Sequence, residues 1–345
     1  MTFEMGIDTF GDVTLGPDGQ PTPHDQVLRD VVAEAVLADQ VGLDFIGLGE
    51  HHRVDFAISS PEILLAAIAA KTQRIKLGTA VTVLSSDDPI RVFQRFSTLH
   101  AISDGRAEVI LGRGSFTESF PLFGYDLSDY EVLFEEKLDL FVNILRNAEV
   151  SWQGTTRPPL TRSRVYPTLG QPLPVWVGVG GSPESIIRAV RHELPVMLAV
   201  IGGPAARFKP FVDLWHRAWG QVGKPALPIG LHSHGHVAPT DEEAMETVWP
   251  HYRTMFNRLG RERGWPPVSR EQFEGEVRSG SQYVGSPETV ARRIVAAVTA
   301  LGVDRFDMKY STGGLPHDKM LRCIELYGTK VVPMVREMLA GKRAA

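Results

Sequence analysis

The feature that most constrains this chain is a rhythm: short runs rich in β-branched residues alternate with helix-length segments, eight times over. The strand-like runs are residues 3–10, 43–48, 75–84, 107–111, 175–179, 195–201, 229–237 and 306–309. Between them, residues 28–41 put Val31, Ala35 and Ala38 on one helical face, and Pro61 and Pro89 stand where prolines open helices. Strict alternation implies a parallel sheet, and eight units at this length suit an α/β fold of the (β/α)8 TIM-type barrel, with insertions. An open doubly wound sheet would carry a Gly-rich fingerprint straight after its first strand, and none is present. Two stretches interrupt the rhythm. Residues 150–174, rich in Pro and Arg, read as a loop, and residues 240–281 read as an irregular, partly helical insertion. The expectation is one barrel domain over residues 1–345.

Composition narrows the function classes. The single cysteine, Cys323, excludes an internal disulfide and a Cys-rich metal site, and its helical setting predicts a buried, inert thiol. With a formal charge of -5 and no basic block beyond residues 341–343, nucleic acid is not an expected partner. No run approaches bilayer-spanning length, and the first eleven residues lack the basic start and apolar run of a signal peptide. A cytoplasmic location is the expectation.

In a barrel, chemistry gathers at the C-terminal ends of the strands. Those ends carry Glu50-His51-His52-Arg53, Thr79 and Thr82, Arg113-Gly114-Ser115, Gly180-Gly181-Ser182, three alternate histidines (His232, His234, His236) and Tyr310-Ser311. Gly181-Ser182-Pro183 starts a helix whose free N–H groups suit a phosphate, with Ser182 as N-cap. An ordinary capped helix reads the same way, and Gly285-Ser286-Pro287-Glu288 nearly repeats it. Only the first copy follows directly from a strand-like run in this reading, so it is the favoured one. Arg113 between two glycines is a salt-bridge partner or an anion ligand. The histidines allow a metal hydrolase, but no His-x-His pair ends the first strand, so no metal is expected. One cleft histidine among satisfied barrel residues is the simpler reading of 232, 234 and 236.

Together these stretches resemble the bacterial luciferase-like flavin monooxygenases. The matching pieces are residues 38–52 (ADQVGLDFIGLGEHH), 75–89 (IKLGTAVTVLSSDDP), 103–114 (SDGRAEVILGRG), 172–185 (PLPVWVGVGGSPES) and 285–306. The resemblance implies a cytoplasmic, usually dimeric barrel that uses reduced FMN and O2 to oxygenate a small organic substrate through a flavin hydroperoxide. Its reduced flavin would come from a separate NAD(P)H flavin reductase. It also implies roles. Arg113, Gly181 and Ser182 would hold the flavin phosphate with help from Ser185. Ala80-Val81 would form a cis peptide beneath the isoalloxazine ring, and Glu50 and His51 would sit beside it, His51 as acid/base. Phe10, Phe56, Phe116 and Phe120 would shield the site or simply fill the core. A deazaflavin-dependent hydride-transfer enzyme is the alternative on the same fold, and a non-catalytic flavin-binding protein is another. Luciferase itself has a cysteine where Gly112 stands and a glutamate where Gly181 stands, so light emission is not implied.

Overall fold

The computed structural model describes residues 3–344, which form one closed ring of strands wrapped by helices. The chain runs β1 (Glu4–Thr9), α1 (His24–Gln40), β2 (Phe45–Leu48), α2 (Pro61–Ala69), β3 (Lys76–Thr79), β4 (Thr82–Val83), α3 (Pro89–Ile102) and β5 (Val109–Gly112). It continues through α4 (Ser119–Leu122), α5 (Tyr130–Arg146), β6 (Val150–Trp152), β7 (Leu160–Ser163), β8 (Val175–Val179), α6 (Pro183–Arg191), β9 (Val196–Ala199) and α7 (Lys209–Val222). The last part is β10 (Ile229–Val237), α8 (Asp241–Arg263), α9 (Arg270–Ser279), β11 (Gln282–Gly285), α10 (Pro287–Leu301), β12 (Arg305–Lys309), α11 (His317–Leu326) and α12 (Val332–Ala344).

Around the barrel the order is β3-β2-β1-β12-β10-β9-β8-β5-β4, all parallel. A bridge between Leu77 and Ala107 closes the ring. The run expected as one strand over residues 75–84 is broken: β3 and β4 are its halves, parted at the cis Ala80–Val81 peptide. Counting them as one position gives the eight of the (β/α)8 barrel.

Strand parity divides the side chains into two environments. Outward-facing Ile7, Ile46, Leu48, Leu77, Val109, Leu111, Val177, Leu198, Leu231, Phe306 and Met308 meet the helices in the main core. Inward-facing Phe45, Ile110, Trp176 and Met197 form a small separate cluster inside the ring, with Val81 packed on it. The helices follow from local signals: Asp88 caps α3 through Ile90 N at 2.8 Å, and Gly302, at φ 68°, ends α10 in the left-handed region.

The two interruptions are more regular than their sequences suggest. Within residues 150–174, β6 and β7 pair as an antiparallel hairpin. The segment 240–281 is mostly helix, a 23-residue α8 that carries Pro250 in its interior and a boxed α9, leading into β11, which pairs with β10. Near its end, therefore, β10 trades β9 for β11 along one edge while keeping β12 along the other. Among the described residues no helix is long and apolar enough to cross a membrane. Cys323 is buried, its thiol accepting from Val237 N at 3.2 Å, and burial pushes it up to about 12.

Candidate active site at the barrel mouth

The floor of the mouth is built around the Ala80–Val81 peptide, which is cis. Glu50 anchors this turn from both sides: its backbone N–H donates to Val81 O at 3.3 Å, and its Oε2 accepts from Val83 N at 2.9 Å. Its Oε1 pairs with His52 Nε2 at 2.9 Å. Glycines give the turn its room. A Cβ placed on Gly112 would lie 2.4 Å from Val81 Cγ2, and one on Gly178 would lie 3.0 Å from Val81 Cγ1. A cysteine at position 112 therefore requires a smaller or displaced neighbour at 81.

His51 leaves the end of β2 with its backbone N–H bonded to Ile58 O at 2.9 Å. Its ring stacks on Phe56 at 4.6 Å and meets the edges of Phe10 at 4.6 Å and Phe116 at 5.0 Å. Burial in this aromatic box pulls the imidazole down to about 3, outweighing Asp12, with Lys309 and Arg53 acting in the same direction as burial. Phe120, grouped with these phenylalanines in the sequence, stacks instead on Tyr130. The C-terminal end of α8 closes the box from above. Glu262 binds Arg53 at 2.6 Å, Arg258 reaches Asp55 at 3.4 Å, and Arg263 covers Phe116 while donating to Ser115 O at 3.3 Å.

The corner beyond β5 and β8 is cationic. Ser182 caps α6 by accepting from Ser185 N at 3.2 Å, and the two hydroxyls lie 2.9 Å apart. Gly181 has φ +104°, a conformation that admits glycine far more readily than glutamate. Arg113 reaches Ser185 Oγ at 3.5 Å with its guanidinium over the Tyr130 ring. A second guanidinium, that of Arg188, reaches the same hydroxyl at 3.3 Å and is 5% exposed. Glu131 bridges both arginines, and Glu135 holds Arg188 from behind. Arg188 was not singled out in the sequence, although its i+3 spacing from Ser185 on a helix carried the signal. The near-copy at Gly285-Ser286 is chemically different. Asp241 fills the start of α10, accepting from Ser286 N at 2.6 Å and from Thr289 Oγ1 at 3.0 Å.

Inside the barrel, His232 Nδ1 lies 2.8 Å from Asp8 Oδ2, a pair joining β10 to β1. Burial alone would lower the His232 imidazole, but Asp8, aided by Asp307, leaves it raised. His234 and His236 have no such partner at Nδ1, and burial pulls both down, His236 to about 4 and His234 well below the usual value. Lys309 is buried, donating to Asp12 Oδ2 at 2.8 Å and Ser311 O at 2.6 Å, with Phe10 4.5 Å from its ammonium. Among the described residues no group of three His, Cys, Asp or Glu is arranged to hold a metal ion.

The structure thus brings Glu50, His51, Ala80 and Val81 together at the ends of β2 to β4, and Arg113, Gly181, Ser182 and Ser185 together beyond the ends of the next strands, β5 and β8. With that geometry in view, the chain's relatives are informative. The luciferase-like monooxygenase family model matches residues 5–305. The chain belongs to that family, which makes it an oxygen-incorporating oxidoreductase. It is similar to the oxygenase component of flavin-dependent trigonelline monooxygenase from Acinetobacter baylyi (strain ATCC 33305 / BD413 / ADP1), at 23% identity over 93% of each chain. Solved structures that share the fold include two complexes. One is the oxygenating constituent of 3,6-diketocamphane monooxygenase from Pseudomonas putida in complex with FMN, with TM-score 0.74, 20% identity, and coverage of 96% of this chain and 99% of that one. The other is an F420-dependent secondary alcohol dehydrogenase in complex with an F420-acetone adduct, with TM-score 0.75, 15% identity, and coverage of 97% and 99%.

Proposed function

We propose that this mouth binds reduced FMN and that the protein uses it with O2 to oxygenate a small organic substrate. The observation that carries the reading is the convergence of Arg113 and the buried Arg188 on Ser185 at the start of α6, beyond the ends of β5 and β8, the strands that follow the Val81 turn around the ring. Two guanidiniums and two hydroxyls at the start of a helix make a seat for a phosphate dianion. Phosphate entry displaces Glu131, whose carboxylate is 62% exposed and free to swing into solvent. Gly181 gives the phosphate room to approach. Ala80 and Val81 support the ring, and Glu50 fixes their turn.

When bound, reduced FMN supplies the electrons that activate dioxygen, chemistry no side chain provides. The protein's task is to orient and to exclude water. Phe10, Phe56, Phe116 and the end of α8 seal the side on which His51 stands. Held neutral there, His51 is suited to offer a hydrogen bond rather than to carry a charge. The trigonelline relative, being an oxygenase component, supports supply of the reduced flavin by a separate NAD(P)H reductase.

The test is an anaerobic titration with reduced FMN, followed by O2, on wild type and Arg113→Ala. A lost charge-assisted bond costs about 1.5–3 kcal/mol, so the variant should bind roughly 10- to 150-fold more weakly. Wild type that ignores reduced FMN overturns the reading. If it instead takes up a deazaflavin with an Arg113-dependent affinity, hydride transfer of the kind named for the F420-dependent neighbour replaces oxygenation.

A further inference from the structure

Oxygen chemistry at a reduced flavin consumes and releases protons, so some group at the mouth must hold one near neutral pH. His51 is poorly built for this. It sits in a box of three phenylalanine rings, with cationic Arg53 and Lys309 nearby, and burial holds it near 3. The barrel interior offers a better candidate. His232 points inward from β10, and its Nδ1 is committed to Asp8 at 2.8 Å. That contact fixes the ring and leaves Nε2 as the free nitrogen. The side chain is not sealed: His232 keeps 8% exposure, and its register partner Ala199 is half-buried, as are Ala80, Val81 and Gly178. Val81 packs on the inward cluster, Gly178 lies beside it, and Ala199 pairs with His232 itself, so these positions share the inner face of the barrel with the His232 ring.

We infer that the proton-carrying group of this mouth is the Asp8–His232 pair, with His232 Nε2 the atom presented to the ligand and Asp8 its positioning partner. The inference rests on the flavin reading for the ligand's identity. In the step, the His232 Nε2–H bond breaks and the proton passes to a basic oxygen of the ligand. The imidazolium becomes a neutral imidazole whose Nδ1–H stays on the Asp8 carboxylate, and solvent later restores the proton. The groups facing His232 are Asp8 on β1, Asp307 and Lys309 on β12 and His234 on its own strand; Ala199 faces it from β9. His232 and its neighbour His234 are pushed in opposite directions, the pattern that separates a proton carrier from a neutral hydrogen-bonding group.

The experiment has two arms. In the first, flavin-free protein labelled at histidine nitrogen is titrated by NMR from about pH 5 to 9. His232 should titrate with a midpoint above that of a free imidazole, Asp8→Asn should lower that midpoint by about one unit or more, and His51 should stay neutral throughout. A titrating His51, or a His232 midpoint that ignores Asp8→Asn, overturns the inference. In the second arm, reduced FMN is added anaerobically to the labelled protein, and then the pH dependence of its reoxidation by O2 is followed. FMN should shift the His232 resonance, His232→Gln should flatten the pH profile, and His51→Ala should keep its midpoint. A profile flattened by His51→Ala and kept by His232→Gln overturns the assignment, as does bound FMN that leaves His232 undisturbed. His232→Asn and melting curves separate a lost proton from a lost fold. Failure of FMN to bind defeats the flavin reading alone, since the first arm still decides where the proton resides.

Discussion

Arg305 offers a severe test of how this barrel tolerates charge in its interior. Its side chain is 1% exposed, with Nε 2.9 Å from both Asp307 carboxylate oxygens, Nη1 bonded to Glu108 and the guanidinium 3.6 Å above the Phe45 ring. Glu108 and Asp307 are equally buried, so Arg305→Met keeps the volume and strands two carboxylates. Breaking a buried ion pair in this way costs about 3–5 kcal/mol. Unfolding entropy near 2.1 cal/mol/K per residue, over 345 residues, turns that loss into a fall of about 4–7 °C in melting temperature. Acid should return part of it. Burial already raises Asp307 to about 6 despite Arg305, and losing the cation raises it further. A carboxyl whose folded value lies above its unfolded one contributes most at low pH and loses that contribution as pH rises. The variant's deficit should therefore be larger at about pH 8 than at about pH 5, read by calorimetry or by urea midpoints with unchanged slope. A variant that melts within about 1 °C of wild type at both pH values refutes the argument: the guanidinium would then not be offsetting the burial of its partners.

Two further outcomes follow from the mouth and the outer shell. Gly112→Cys drives a side chain against Val81, whose Cγ2 would lie 2.4 Å from the new Cβ; the overpacking should cost about 1–3 kcal/mol and weaken FMN binding, measured by melting and by flavin titration. His317 is held above its usual value by its bond to Glu34 at 2.8 Å, partly offset by burial. Its contribution is complete below the unfolded imidazole value and disappears as pH rises through the folded one, so wild type should lose its advantage over His317→Gln between about pH 6 and 9 in urea titrations.

The barrel was legible because its outward strand faces are apolar and β-branched and its helices are punctuated by Pro and Gly. The segment after residue 240 was not. α8 buries only Ala244, Val248, Tyr252 and Gly260 and contains Pro250, so its apolar stripe is thin and its interior carries a helix breaker. Its ends were readable all the same: Thr240 caps it ahead of three acidic residues, and Gly264 closes it at φ 71°. The hairpin of β6 and β7 was hidden by its short, half-exposed strands. At the site, Arg113 and Ser182 came from local motifs, and the Ala80–Val81 turn came from the family resemblance. The Asp8–His232 pair could not, because its members are 224 residues apart and meet only through strand parity and barrel closure.

The starts of α6 and α10 look alike in sequence. Both read Gly-Ser-Pro-Glu, both are capped by their serine, and both follow a strand. At α10 the chain supplies its own anion, Asp241, from 45 residues upstream of Ser286; at α6 it gathers two arginines instead. The same four letters thus spell a finished joint in one place and an open socket in the other. What distinguishes them is the charge brought in from elsewhere in the fold, so a search for phosphate seats in related barrels should read the company a helix start keeps before it reads the motif.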